Sequence, residues 1–91
     1  MAQATLMVQH QVADYAAWRS AYDAVGGLRQ QHGCTEAEVL VDPGDKNDVY
    51  VLHRFPTVEQ ARAFAGSNEL REAMGQAGVA GKPRIEIAVG A

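Results

Sequence analysis

Two histidines on predicted strands are the side chains best suited to acid–base chemistry in this sequence. His53 lies in the middle of an apolar strand face, where an imidazole can act as a general base near neutral pH or bind a ligand hydroxyl or carbonyl. His10 projects from the same face of another predicted strand, close to the start of a helix that carries Trp18. The alternative for each is a core histidine bonded to a neighbouring group. His53 and His10 are therefore candidate catalytic residues.

Aromatic and apolar residues near these histidines could form a ligand pocket. Trp18 and Tyr22 lie on one face of a predicted helix, where their rings can stack on a planar ligand while the tyrosine hydroxyl binds a polar edge. Phe55, Phe64 and Met74 would complete an apolar ligand-binding wall, in which the flexible methionine adapts to different shapes. Packing within a core explains these residues equally well.

Other reactive residue types lack the partners that their chemistry needs. Cys34 lies close to His32, but no orienting acid or oxyanion motif accompanies it, so a half-buried structural cysteine is expected. The three histidines and the cysteine show neither His-x-x-x-His nor Cys-x-x-Cys spacing. We therefore expect no metal site.

Composition and charge predict one folded domain spanning residues 1–91. The chain is 47% hydrophobic and 21% charged, which is ordinary globular usage. Its net charge is -3 with acids and bases interspersed, so no basic stripe is available for nucleic acid or anionic lipid. A lone cysteine, with neither a signal-peptide pattern nor a spanning segment, indicates a cytoplasmic protein.

Period-two alternation of apolar and polar residues predicts four strands, and three- and four-residue spacing predicts helices between them. The strands are expected at residues 5–12, 34–41, 48–55 and 84–89, with a turn at 42–45. Asp14 can cap the first helix, which is expected to kink or fray at Gly26-Gly27 and to end at His32-Gly33.

The second helical region carries two start signals. Thr57 and Gln60 have the spacing of a capping box, in which each side chain satisfies the other's end of the helix. Ser67 follows a glycine and can cap a second short helix that carries Leu70 and Met74. The run from 75 to 83 is rich in glycine and predicts a loop before the last strand.

This element order is typical of a ferredoxin-like α+β fold. With short connections and right-handed crossovers, βαββαβ gives a four-stranded antiparallel sheet with the helices on one face. The more apolar strand positions should meet the helices, and His10 and His53 fall among them. These positions are Leu6, Val8, Ala37, Val39, Val41, Val49, Val51, Phe55, Ile85 and Ile87.

The opposite sheet face mixes apolar and charged residues in a way that favours pairing with a second copy. Met7, Leu40, Tyr50 and Leu52 would lie there among glutamates and arginines. Two-fold packing would bury the apolar residues and let Arg54 and Arg84 meet Glu36, Glu38 or Glu86 across the interface. We therefore expect a homodimer in which two protomers form a dimeric α/β barrel.

Several segments along nearly the whole chain resemble the antibiotic biosynthesis monooxygenase-like family of dimeric α/β-barrel proteins, which includes members described as cyclases or monooxygenases. The segments are V-A-D-Y at 12–15, W-R at 18–19, the strand 49–55, A-R-A-F at 61–64, E-L-R-E-A-M at 69–74, G-V at 78–79 and G-K-P at 81–83. The resemblance implies a pocket between sheet and helices, used without metal or flavin on phenolic polycyclic substrates.

The third strand of the family's better-known monooxygenases carries an Asn and a Trp that face this pocket. Val51 and Phe55 stand at the matching positions here, so the amide and indole hydrogen bonds that the resemblance would supply are absent. Both residues are retained as candidate ligand contacts. The departure weakens the oxygenase hypothesis and leaves the fold expectation unchanged.

Three functional hypotheses follow from these residues. In the first, His53 takes a proton from a phenol or enol of an aromatic or polyketide-like substrate, and oxygenation, cyclisation or isomerisation follows. In the second, the pocket binds a small apolar molecule without chemistry. In the third, the helix face is fully packed, a hypothesis that an enclosed space of roughly 300 Å³ beside His53 would contradict.

Overall fold

The computed structural model describes residues 3–76 and 78–91, and it has the predicted ferredoxin-like α+β architecture. One antiparallel sheet has the strand order β2-β3-β1-β4, and the chain's helices pack on one of its faces. The elements are β1 (Ala4–Val12), α1 (Tyr15–Ala24), α2 (Gly26–Gln31), β2 (Glu36–Asp42), β3 (Asp45–Phe55), α3 (Val58–Ala65), α4 (Asn68–Gln76) and β4 (Val79–Val89).

Side-chain caps begin three of the helices where the sequence predicts them. The carboxylate of Asp14 accepts a hydrogen bond from the backbone N–H of Ala17 at 2.9 Å. Thr57 Oγ1 accepts from the backbone N–H of Gln60 at 3.1 Å, and its hydroxyl donates to the Gln60 side chain at 3.0 Å. Ser67 Oγ accepts from the N–H of Leu70 at 3.2 Å. Each cap satisfies one of the free amides of a first helical turn.

The first helical region breaks at Val25, just before the two glycines at which a kink was expected. Val25 has φ -102° and ψ 21°, which lies outside the helical range, and it separates α1 from α2. The break leaves the carbonyl of Tyr22 near the end of α1, where it accepts a hydrogen bond from the Arg29 guanidinium at 3.0 Å. The Arg29 guanidinium of α2 thus lies against the aromatic face of α1.

The central hairpin forms at the predicted turn, but its strands extend closer to that turn than expected. The Asp42 carboxylate accepts from the N–H of Gly44 at 2.9 Å, and Asp42 pairs with Asp45 across a two-residue connection. β3 therefore begins at Asp45 rather than at residue 48, because so short a turn lets pairing start at once. β2 begins two residues later than predicted.

The last strand begins at Val79, so the prediction of a loop up to Pro83 is wrong. Gln9 pairs with Arg84 whereas Gln11 pairs with Ala80, which leaves residues 81–83 of β4 opposite His10 of β1. Gly81 has a φ of +71°, and Pro83 lies in the same bulge. Glycine and proline usually end strands, but a bulge accommodates both without ending the pairing.

The strand register confirms which residues share each face of the sheet. Leu6 pairs with His53 and with Ile87, all on the helix side. The central strands are well covered, with Leu6 and Phe55 fully buried, but Val41 and Ile85 remain 36% and 39% exposed. Those two residues lie on the edge strands β2 and β4, which the helices cover less completely. The expectation that the whole apolar set meets the helices is thus met chiefly on β1 and β3.

The opposite sheet face is an exposed mixture of apolar and charged residues, as predicted. Leu40 and Tyr50 are 45% and 39% exposed. Arg54 lies 3.3 Å from Glu36 on the neighbouring strand, and Arg84 lies 2.8 Å from Glu86 on its own strand. These ion pairs form within one protomer, rather than only across an interface as the sequence suggested.

Candidate functional site

An aromatic stack runs from α1 to the sheet. The rings of Trp18 and Tyr22 stack with centroids 4.9 Å apart, because residues four apart on a helix lie one above the other. The Tyr22 ring stacks in turn on His53 at 5.9 Å, and the His10 ring meets Trp18 edge-on at 5.5 Å. Both histidines face the helices from β1 and β3. The stack therefore brings together the four residues to which the sequence assigned chemistry or aromatic binding.

A hydrogen bond joins the two most reactive members of this stack. The Tyr22 hydroxyl lies 2.8 Å from Nε2 of His53, and the His53 side chain is buried. The other ring nitrogen, Nδ1, is buried without a partner among the described residues. Where Nε2–H donates to Tyr22, Nδ1 is an acceptor without a donor, on a residue that lines a cavity between the sheet and the helices. The hydrogen bond to Tyr22 thus fixes the orientation of the His53 imidazole.

Burial and a nearby cation set the charge state of the pair. Desolvation, with the charge of Arg29 as a smaller cause, lowers the pKa of His53 to about 4. Burial raises the pKa of Tyr22, so its phenol is protonated at neutral pH. Both groups are therefore neutral at pH 7. The sequence places His53 on an apolar face but does not reveal how completely its imidazole is desolvated.

His10 is a second buried imidazole with no polar partner. It is 4% exposed, and both of its ring nitrogens lack hydrogen-bond partners among the described residues. Desolvation lowers its pKa as well. A buried polar group without a partner costs free energy, and such groups in native structures often mark a place where a ligand or water binds.

A cavity of about 50 Å³ lies between the sheet and the helices, beside the stack. Seven of the eight site residues predicted from the sequence line it: His10, Trp18, Tyr22, Val51, His53, Phe64 and Met74. Phe55 does not, because it is fully buried behind the cavity and packs against Phe64 at 5.5 Å. A cavity of this volume holds a few water molecules. An enclosed space of roughly 300 Å³ would have contradicted the hypothesis that the helix face is fully packed, and this cavity is much smaller, so the hypothesis stands.

Arg29 is the contributor to the site that the sequence reasoning missed. Its guanidinium carbon lies 4.0 Å from the centroid of the Tyr22 ring, which is cation–π contact. Arg29 is seven residues after Tyr22, and two helical turns place such residues on the same side. The spacing was therefore an available signal, although the break at Val25 determines the actual contact.

Cys34 is not organised as a nucleophile. It is half-buried, its thiol lies 3.2 Å from the carbonyl oxygen of Glu36, and burial raises its pKa. A raised pKa reduces the thiolate fraction on which nucleophilicity depends. The structure thus agrees with the expectation of a structural cysteine.

Two further features bear on partners. Within residues 3–76 and 78–91, no three His, Cys, Asp or Glu side chains lie close enough together to hold a metal ion. None of the helices in these ranges has the length and hydropathy needed to cross a membrane.

The family model for antibiotic biosynthesis monooxygenases matches residues 2–76. The chain belongs to this family. Among curated proteins, none matches the chain significantly. The family assignment confirms the resemblance inferred from the sequence and covers β1 through α4, the elements that carry every aromatic and histidine residue of the stack.

Solved structures from several organisms are similar to the chain. A Bordetella bronchiseptica protein assigned provisionally to the same family has a TM-score of 0.82 at 13% identity, with 97% of this chain and 96% of that chain covered. SnoaB of Streptomyces nogalater, described as a cofactor-independent oxygenase, has a TM-score of 0.74 at 10% identity, with 100% and 93% covered. A Pseudomonas aeruginosa protein has a TM-score of 0.73 at 18% identity, with 100% and 96% covered. At these identities the likeness shows the fold alone.

Proposed function

We propose that this protein is a cofactor-free monooxygenase that oxidises an acidic phenol or enol of an aromatic or polyketide-like molecule, with His53 as the general base. The observation that carries the proposal is the 2.8 Å hydrogen bond between Tyr22 and Nε2 of a buried His53 whose second nitrogen has no partner. Family membership supports the reaction class. The description of SnoaB as a cofactor-independent oxygenase supports the same class at the level of the fold.

The reaction begins with proton transfer from the substrate hydroxyl or enolisable carbon to Nδ1 of His53. The resulting imidazolium donates its Nε2–H to the Tyr22 oxygen and forms an ion pair with the substrate anion. That anion transfers one electron to dioxygen, and the two radicals combine to form a carbon–oxygen bond. The imidazolium returns its proton to the peroxide anion and regenerates neutral His53. The hydroperoxide then loses water and leaves a carbonyl, so substrate and O₂ give a product with one more oxygen and two fewer hydrogens, plus water.

The low pKa of His53 restricts the substrates that this base can use. At about 4 it is a weak base, so a substrate must itself be acidic or must stabilise the imidazolium as its counterion. Vinylogous acids and polycyclic enols meet that requirement better than simple phenols. The buried, apolar cavity strengthens the ion pair once it forms.

The reactive pair should be tested with anthrone, an easily enolised tricyclic ketone. Oxygen uptake and mass spectrometry with isotopically labelled O₂ would follow its conversion to the quinone. We expect His53→Gln to lower turnover by about 100-fold or more, the usual contribution of a positioned base. His32→Gln changes a histidine that lies outside the cavity and should retain activity. Equal turnover by wild type and His53→Gln would exclude His53 as the base.

Non-catalytic binding of a small apolar or aromatic ligand is the second candidate function. The weak basicity of His53 and the unpartnered nitrogens of His10 favour it, because neutral imidazoles can bind a ligand without accepting its proton. In that case, saturable binding would occur without any oxidised product, and His53→Ala and His10→Ala would weaken that binding.

We further infer that the working form is a homodimer, located in the cytoplasm, in which the exposed sheet face pairs with its copy. Leu40 and Tyr50 are large apolar groups that pair across β2 and β3 on that face, and exposed apolar patches of this kind usually mark interfaces. The Arg54–Glu36 pair lies beside them and could exchange partners across a two-fold axis.

A further inference from the structure

A second depression opens beside the buried cavity, between α4 and β4. This groove of about 440 Å³ shares four wall residues with the cavity, namely Ala65, Leu70, Met74 and Ile85. A volume of this size falls within the usual range of small-molecule sites, whereas the inner cavity alone does not. A ligand whose reactive end reaches the histidines would therefore extend through this shared wall into the groove.

The charged lining of the groove has one sign. Among the described residues that line the groove, Arg71 on α4 and Lys82 in the β4 bulge are the only charged ones, and none is a carboxylate. Neither cation forms an ion pair among the described residues. The protein has a net charge of -3, but these two cations make the electrostatic potential in the groove positive.

The groove is uncrowded at two of its glycines. A Cβ added to Gly75 or Gly81 would meet nothing within 4 Å. Gly81 also has a φ of +71°, which the bulge opposite His10 requires. The bulge thus moves Lys82 to the groove and leaves room for a ligand substituent there.

We infer that the substrate carries an anionic substituent, such as a carboxylate, which Arg71 and Lys82 bind at the cavity mouth while its phenol or enol end reaches His53. Met74 and Leu70 would pack against the intervening apolar portion. This inference rests on the proposed function and narrows it, because it selects acidic aromatic molecules over neutral ones of the same shape. Arg71 and Lys82 are specificity residues in this scheme and take no part in proton transfer.

The test compares 6-hydroxy-2-naphthoic acid with its methyl ester by isothermal titration calorimetry on the whole protein. We expect the acid to bind more tightly than the ester. Arg71→Gln and Lys82→Gln should each weaken acid binding by about twofold to fivefold, as expected for solvent-exposed charge pairs, and leave ester binding unchanged. Raising the salt concentration should reduce the difference between the two ligands.

Arg62→Gln is the matched control, since it removes one exposed positive charge from α3 outside the groove. Two results would overturn the inference that the substrate carries an anionic substituent: equal affinity for the acid and the ester, or equal effects of Arg62→Gln and Arg71→Gln on binding of the acid. Neither result would contradict the proposed reaction. Failure of both ligands to bind, together with no oxidation of anthrone, would overturn the reaction and this inference together.

Discussion

The hydroxyl of Tyr22 lies 2.8 Å from Nε2 of His53, although 31 positions separate the two residues in the chain. Tyr22 comes from the end of α1, and His53 comes from the middle of β3. Their ring planes are nearly parallel, at 17°, so the hydrogen bond and the ring contact together restrict the imidazole. Tyr22 thus acts as a positioning residue for the proposed base.

Tyr22→Phe should separate orientation of His53 from packing around it. The phenylalanine keeps the stack with Trp18 but leaves Nε2 of His53 without its partner. We expect turnover of anthrone to fall by about tenfold with little change in KM, and the free energy of unfolding to fall by about 1 kcal/mol. Tyr15→Phe, which changes another tyrosine next to Trp18, should leave turnover unchanged. Equal loss in both variants would argue for a general packing effect.

His53 should make the folded protein sensitive to mild acid. Its pKa is about 4 when folded and roughly 6.5 when unfolded, so the unfolded chain binds more protons between these values. Acidification from about pH 6.5 to 4.5 should therefore cost about 2 to 3 kcal/mol through this group. Chemical denaturation across that range would measure it.

In His53→Gln this part of the pH dependence should disappear, while His32→Gln should retain it. His10, whose pKa burial also lowers, would contribute the remaining sensitivity in both variants. An identical acid profile for His53→Gln and wild type would contradict the low pKa of His53.

Met74→Ala should enlarge the cavity toward the groove. Met74 lines both spaces and is half-buried, so we expect the truncation to cost about 1 to 2 kcal/mol of stability, less than for a fully buried methionine. Binding of a tricyclic ligand such as anthrone should tighten several-fold, because we expect the gained space to outweigh the lost contact with the Met74 side chain. Trp18 is the chain's single tryptophan and lines the cavity, so its fluorescence reports that binding.

Val58→Ala serves as the comparison for that experiment, because it truncates a half-buried side chain of α3 that does not line the cavity. It should lower stability without improving affinity. If Met74→Ala weakens binding as much as it lowers stability, Met74 is a ligand contact whose loss outweighs the gained space.

Tyr50→Arg should disrupt the proposed dimer. The substitution places a charge on the exposed sheet face, where burial in an interface would be costly. Sedimentation should show a dimer for wild type at micromolar concentration and a monomer for Tyr50→Arg. Val41→Arg is a matched control, since Val41 is 36% exposed against 39% for Tyr50 but lies on the other sheet face. If the wild-type protein sediments as a monomer, the proposed homodimer is contradicted.

Alternation and capping signals in the sequence were sufficient to predict the element order and the two sheet faces, and seven of the eight site residues predicted from the sequence line the cavity. These signals are local: a strand's parity places Leu6 and His53 on one side, and Asp14, Thr57 and Ser67 each cap within three residues of themselves. The face assignments succeeded because a two-residue period does not depend on which strand lies alongside. Phe55 lies two residues after His53 and therefore on the same sheet face, but the alternation does not show whether a residue on that face lines the cavity or is buried in the core behind it.

Tertiary structure decided the features that depend on long-range contact and solvent access. The register between β1 and β4 places a bulge opposite His10, where glycine and proline had suggested a loop. The break at Val25 brings Arg29 over Tyr22. The pKa of His53 follows from how completely its neighbours exclude water, a property of the assembled fold. The sequence by itself therefore determined which residues could meet, while packing across the chain decided how closely they meet and in what protonation state.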